Sequence, residues 1–131
     1  MRMFEGKTAL VTGGSRGIGA AIVKRLGAAG AHVAVNYAGS KEGGGTLAAA
    51  IVAAGGKAFA VQADVSTLAG IESLFAACDA QFGGAPNLDF LINNAGVGRG
   101  GRDGTVEGGG EGLYGQVFAV NGEGPHLVTQ A

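Results

Sequence analysis

Thr8-Ala9-Leu10-Val11-Thr12-Gly13-Gly14-Ser15-Arg16-Gly17-Ile18-Gly19 decides how the rest of the chain is read. Thr8–Val11 is too apolar to show water a polar face, which is the pattern of a buried strand. Ile18–Ala29 follows with helical spacing, Ile22, Leu26 and Ala29 on one stripe and Gly30 as the stop. A strand that becomes a helix through spaced glycines can bring its backbone against a diphosphate, because side chains there would block the approach. The helix N-terminus adds unpaired N–H groups and the positive end of the dipole. The spacing is G-x-x-x-G-x-G rather than G-x-G-x-x-G, and no Gly-Lys-Ser/Thr follows, as a mononucleotide phosphate loop requires.

Outward from that turn the pattern repeats. His32–Asn36 reads as a second strand, Lys41–Ala54 as a helix stopped by Gly55-Gly56, and Lys57–Gln62 as a third strand closed by Asp64. Ser66 stands where an N-cap would open a helix running to Phe82, with Ile71, Leu74, Phe75 and Cys78 on its inner face. Leu88–Asn93 is the fourth strand. Strands alternating with helices over short connections predict an α/β fold, a doubly wound parallel sheet of Rossmann type with helices on both faces. The predicted order is 3-2-1-4, with the switch point between the first and fourth strands. Ligands in such sheets bind outside the carboxyl ends of the strands at that point. The glycine turn and Asn93-Asn94-Ala95-Gly96 both fall there.

Composition narrows the function classes. A length of 131 residues gives room for one domain, and a formal net charge of −1 offers no basic surface for nucleic acid or a polybasic membrane contact. The lone Cys78 cannot form an internal disulfide, and the N-terminus has no apolar leader region, so a cytoplasmic chain is expected. His32 reads as a strand-boundary residue, and His126 has no Cys or second His at metal-ligand spacing, so no metal is expected. Glycine is in excess at 28 residues, 12 of them between Gly96 and Gly124. Val106–Ala131 carries an apolar helical stripe interrupted by glycines, each costing about 1 kcal/mol inside a helix. Gly43-Gly44-Gly45 places a smaller version of that strain in the second helix.

These residues resemble the short-chain dehydrogenase/reductase family. Thr12–Gly19 matches its glycine turn, Asp64 its adenine-side acid, Asn93–Gly96 its Asn-Asn-Ala-Gly segment, and Asn121 the asparagine of its catalytic tetrad. The resemblance runs along the whole chain and is nearest to the 3-oxoacyl-carrier-protein reductase and sugar dehydrogenase branches. It implies an oxidoreductase that passes hydride between a nicotinamide cofactor and a small carbonyl or alcohol substrate, commonly as a homo-oligomer. It also implies cofactor contacts at Gly13, Ser15, Arg16, Gly17, Ile18, Gly19, Asp64, Val65, Asn93, Ala95 and Gly96, to which the charge pattern after the second strand adds Asn36, Ser40 and Lys41. Catalysis in the family further uses a serine and a Tyr-x-x-x-Lys pair placed beyond the point matching Ala131. The chain is therefore expected to be a single dinucleotide-binding domain over residues 1–131, cut before that pair and inactive alone.

Tyr37-Ala38-Gly39-Ser40-Lys41 fits Tyr-x-x-x-Lys in letters only. It follows a strand directly, whereas catalysis needs both side chains on one helical face beside the nicotinamide. The same stretch bears on cofactor choice. An acid at the end of the second strand would accept the ribose hydroxyls of NAD. Asn36 and Tyr37 stand there instead, and Arg16, Ser40 and Lys41 can bind a 2′-phosphate, so NADP is expected, with NAD the alternative. A catalytically empty dinucleotide-binding or sensor module is the rival reading.

Overall fold

Seven elements alternate along the chain: β1 (Thr8–Val11), α1 (Gly17–Ala28), β2 (His32–Tyr37), α2 (Lys41–Ala53), β3 (Lys57–Gln62), α3 (Leu68–Phe82) and β4 (Phe90–Ile92). The computed structural model describes residues 2–15, 17–39, 41–83 and 88–95, with the backbone alone at 41 and 42. The expectations for Arg16, Ser40, Gly96 and Asn121, for the Lys41 side chain and for the stretch 106–131 lie outside the described residues.

The four strands pair in parallel in the order β3-β2-β1-β4, as expected from the sequence. Thr8 lies opposite His32, His32 opposite Lys57, and Ala9 opposite Phe90, so the carboxyl ends of all four strands meet at one edge. Side chains alternate between the two faces. Val11, Val33 and Val35 pack with Val23 of α1 and with Leu47 and Ile51 of α2. Leu10 and Ala34 pack on the other face with Ile71, Leu74 and Cys78 of α3. A sheet covered on both sides accounts for strands without a polar face.

Three local expectations change. The buried line of α1 is Gly19, Val23 and Gly27, one register away from the expected Ile22, Leu26 and Ala29. Ile22 and Leu26 flank that line, half-buried against the same cluster. Close approach is the cause: a Cβ on Gly27 would sit 3.1 Å from Ile51 Cδ1, so the smallest residue faces α2. The N-cap of α3 is Thr67 rather than Ser66, with Thr67 Oγ1 accepting the Gly70 N–H at 3.0 Å. Ser66 instead donates from its N–H and hydroxyl to Asp64 Oδ1. The fourth strand is shorter than Leu88–Asn93, because Asp89 turns its carboxylate to the Thr8 N–H at 2.8 Å and Asn93 already leaves the ladder.

At the opposite edge of the sheet His32 opens β2 between two rings, with centroids 5.4 Å from Phe59 and 4.9 Å from Phe82. Burial, reinforced by the Lys57 ammonium, lowers its pKa below the ordinary histidine value. Cys78 is packed as a small apolar residue, and burial pushes its thiol up to about 11. Among the described residues no helix is long and apolar enough to cross a membrane. No group of three or more His, Cys, Asp or Glu among them is placed to hold a metal ion.

Candidate dinucleotide-binding site

Loops leaving β1, β2, β3 and β4 converge at the carboxyl edge, and the first of them is held from both sides. Thr12, 1% exposed, closes β1 with its hydroxyl pointing at the fourth loop. Thr12 Oγ1 accepts the N–H groups of Asn94 at 3.1 Å and Ala95 at 3.0 Å. Asn94 answers by donating from Nδ2 to the Gly13 carbonyl at 3.0 Å. The Gly13 N–H goes the other way, to Asn36 Oδ1 at 3.2 Å. One peptide turn is thereby fixed between β2 and β4.

The glycines of the turn have two different reasons to be glycine. Gly13 adopts φ +61°, and a Cβ there would lie 2.8 Å from Ala95 Cα. A Cβ on Gly19 would run into Asn94 Nδ2 and the Gly13 carbonyl. These two permit close packing of loop on loop. Gly17 is the reverse case: φ is also +61°, yet no described residue outside its chain neighbours lies within 4 Å of where its Cβ would be. Open space therefore stands over the first turn of α1, a 12-residue helix whose leading N–H groups have no partner inside the helix. An anion fits such a cradle, and a side chain at Gly17 would intrude on it. Ile18, 76% exposed, adds an apolar surface on the same turn.

The remaining expected contacts divide. Asp64 is exposed two residues beyond β3, and hydrogen bonds from the Ser66 hydroxyl and N–H lower its pKa, keeping it a carboxylate. Val65 is buried in the α3-side core, so only its backbone can meet a ligand. Asn93 is exposed at the end of β4, and Ala95 is half-buried against Gly13. Ser15 sits half-buried in the turn, with its carbonyl 3.0 Å from where a Cβ on Gly43 would be. The first turn of α2 thus lies directly against the glycine turn. Asn36, expected among the cofactor contacts, is 2% exposed and turned inward, with Oδ1 accepting from the Gly13 N–H and Nδ2 donating to the Val61 and Ala63 carbonyls.

Sequence reasoning missed the parts that fasten rather than touch. The Thr12 hydroxyl, the Asn94 amide and Gly70 were not singled out. Gly70 brings the first turn of α3 so close to the Asp64 carbonyl that a Cβ would collide with it. The available signal was the small hydroxyl at a strand end and the Thr-x-x-Gly spacing of Thr67 and Gly70. A separate groove of about 420 Å³ between α1 and α2, lined by Gly27, Leu47 and Ile51, lies on the helical face.

Residues 7–131 match the family model described as short chain dehydrogenase. The chain belongs to the short-chain dehydrogenase family. An uncharacterized oxidoreductase of Methylorubrum extorquens is 50% identical over 131 residues, covering 100% of this chain and 50% of that protein. A 3-oxoacyl-[acyl-carrier-protein] reductase of Staphylococcus aureus is 46% identical over 93 residues, 71% of this chain and 37% of its own length. The chain thus spans half or less of these curated relatives. Among solved structures, a short chain dehydrogenase from Burkholderia cenocepacia in complex with NADP superposes with a TM-score of 0.86 at 40% identity, over 98% of this chain and 50% of that one. A metagenomic short-chain oxidoreductase in complex with NADP gives a TM-score of 0.86 at 36% identity, over 98% and 56% of the two chains.

Proposed function

We propose that this chain binds NADP along the carboxyl edge of its sheet and forms the cofactor half of an oxidoreductase acting on a small carbonyl or alcohol. The observation that carries the reading is the open space at Gly17 over the α1 N-terminus, walled by a Gly13 peptide that Asn36 and Asn94 hold in place. NADPH, when bound, supplies the hydride.

The chain's own residues have defined roles in this reading. The first-turn N–H groups of α1 meet the diphosphate, and the exposed Ile18 side chain packs beside it. The exposed Asp64 carboxylate and the Val65 backbone receive the adenosine end, and Asn93 and Ala95 line the floor. Arg16 and Lys41 supply charge and Ser40 a hydroxyl donor for a 2′-phosphate, and no acid in Asn36-Tyr37-Ala38 opposes it. Asn121 is the one residue matched to the family's catalytic set. The single Tyr-x-x-x-Lys spelling offers no proton relay, because Tyr37 is the last residue of β2, 7% exposed and packed beside Gly44. These 131 residues alone are therefore proposed to bind cofactor without turnover.

Two further parts belong to the same proposal. Homo-oligomeric assembly, which the family resemblance implies, is one of them. The single thiol, buried at Cys78, fits a cytoplasmic setting.

Gly17→Ala tests the reading. Its Cβ enters the open cradle, so NADP binding followed by calorimetry is expected to weaken at least tenfold, about 1.4 kcal/mol, while circular dichroism shows the fold retained. Unchanged affinity in the folded variant contradicts the proposed site.

A further inference from the structure

Asn36 occupies a position that its expected role does not explain. It stands near the end of β2, between β1 and β3 in the sheet, and is 2% exposed. Oδ1 accepts the Gly13 N–H at 3.2 Å, and Nδ2 donates to the carbonyls of Val61 at 3.3 Å and Ala63 at 3.2 Å. Its own carbonyl takes the Gly14 N–H at 2.9 Å, and the neighbouring Tyr37 carbonyl takes the Ala63 N–H at 3.0 Å. One side chain therefore spans from the glycine turn to the segment that leads into Asp64 and Val65.

Those are the two loops that would meet opposite halves of one ligand. The Gly13–Gly19 turn faces a diphosphate, and the Ala63–Val65 segment faces an adenosine. A ligand bridging both gains the contacts of each only while their separation is fixed, because any loosening must be undone on binding. A planar amide suits this position, since its oxygen meets an N–H and its two N–H donors meet two carbonyls. An ionised aspartate here could still accept from Gly13, but its oxygens would face both carbonyls without a proton between them.

We infer that the Asn36 amide is a positioning residue for the dinucleotide site, setting the spacing between the diphosphate turn and the adenosine loop without selecting between NADP and NAD. The inference rests on the dinucleotide reading above. It separates from that reading because it concerns the linkage between two half-sites rather than the existence of either.

Calorimetric titrations of Asn36→Leu and wild type with NADP, NAD and adenosine 2′-monophosphate provide the test. NADP and NAD are expected to weaken together by about tenfold, with their ratio held within about twofold. Adenosine 2′-monophosphate, which carries no diphosphate, is expected to weaken less than about twofold. Asn36→Asp is the conservative companion, since its neutral acid keeps the acceptor for Gly13 and one donor for a carbonyl. Its NADP affinity, taken relative to wild type at the same pH, is expected to be higher at pH 5 than at pH 8. A selective gain of NAD over NADP in Asn36→Leu overturns the inference and makes Asn36 a ribose contact. Equal loss for all three ligands, or unchanged NADP affinity in both variants, overturns it as well. A wild-type chain that binds neither dinucleotide overturns the underlying reading, and this inference with it.

Discussion

Asn94 reaches back from the end of β4 to the carbonyl of Gly13, Nδ2 to O at 3.0 Å, while its own N–H rests on Thr12 Oγ1 at 3.1 Å. The first and fourth loops are thus locked at the switch point, where α/β sheets bind ligands. Gly19 belongs to the same lock, since any Cβ there would strike the Asn94 amide.

Removing the hydroxyl should open that lock without changing its shape. Thr12→Val leaves the half-buried Ala95 N–H without the acceptor it has at 3.0 Å, at a cost of about 1 kcal/mol. Thr12→Ser keeps the acceptor and should lose well under half of that. Urea unfolding of the two variants beside wild type checks the difference.

The glycines of α2 should respond unequally to the same added methyl. Gly45 has no described residue within 4 Å of its Cβ position, so Gly45→Ala is expected to stabilise the chain by about 1 kcal/mol through helix propensity. A Cβ on Gly44 would lie 2.7 Å from Tyr37 Cδ1, so Gly44→Ala must displace that ring and should gain less or lose stability. The difference between the two unfolding midpoints isolates the Tyr37 contact.

Acid should weaken the fold through His32. Burial and the Lys57 charge place its folded pKa below the unfolded value of about 6.5. Between those two values the unfolded chain binds more protons, so stability rises with pH through that window and is fully present above about 6.5. Asp64, lowered by its Ser66 hydrogen bonds, acts in the same sense in a more acid window, below 3.8. Its contribution is present above that value and lost as pH falls through its folded pKa. Urea midpoints at pH 7.5 and pH 5 should draw closer together in His32→Phe than in wild type.

The start of α3 should depend on Thr67 rather than on its neighbour. Thr67→Ala leaves the Gly70 N–H without its cap and should cost about 1 kcal/mol. Ser66→Ala should spare the helix and raise the pKa of Asp64, read by carboxyl chemical shifts against pH.

Strand order and most boundaries were legible in the sequence because a sheet covered on both faces leaves apolar runs between glycine and polar breaks. Thr8–Val11 and Lys57–Gln62 have the bounds that pattern implies. The sequence misled where distance rather than polarity decides. Hydrophobicity favours Ile22 and Leu26 for the core, yet Gly27 faces α2 because the Ile51 side chain packs against it. Ser66 and Thr67 both have capping hydroxyls, and only the Asp64 carboxylate, engaging Ser66, separates them. Asn36 shows the same limit at the site: its letter says that no carboxylate is present, and its direction, inward to three backbone groups, is a property of the folded sheet.

Calorimetric titration of the chain and of Arg16→Ala with NADP and NAD tests the central claim most directly. Wild type is expected to bind NADP more tightly than NAD, and Arg16→Ala to lose most of that preference while NAD affinity stays within about twofold. No binding of either nucleotide to a folded wild-type chain, or tighter NAD than NADP binding, would contradict it.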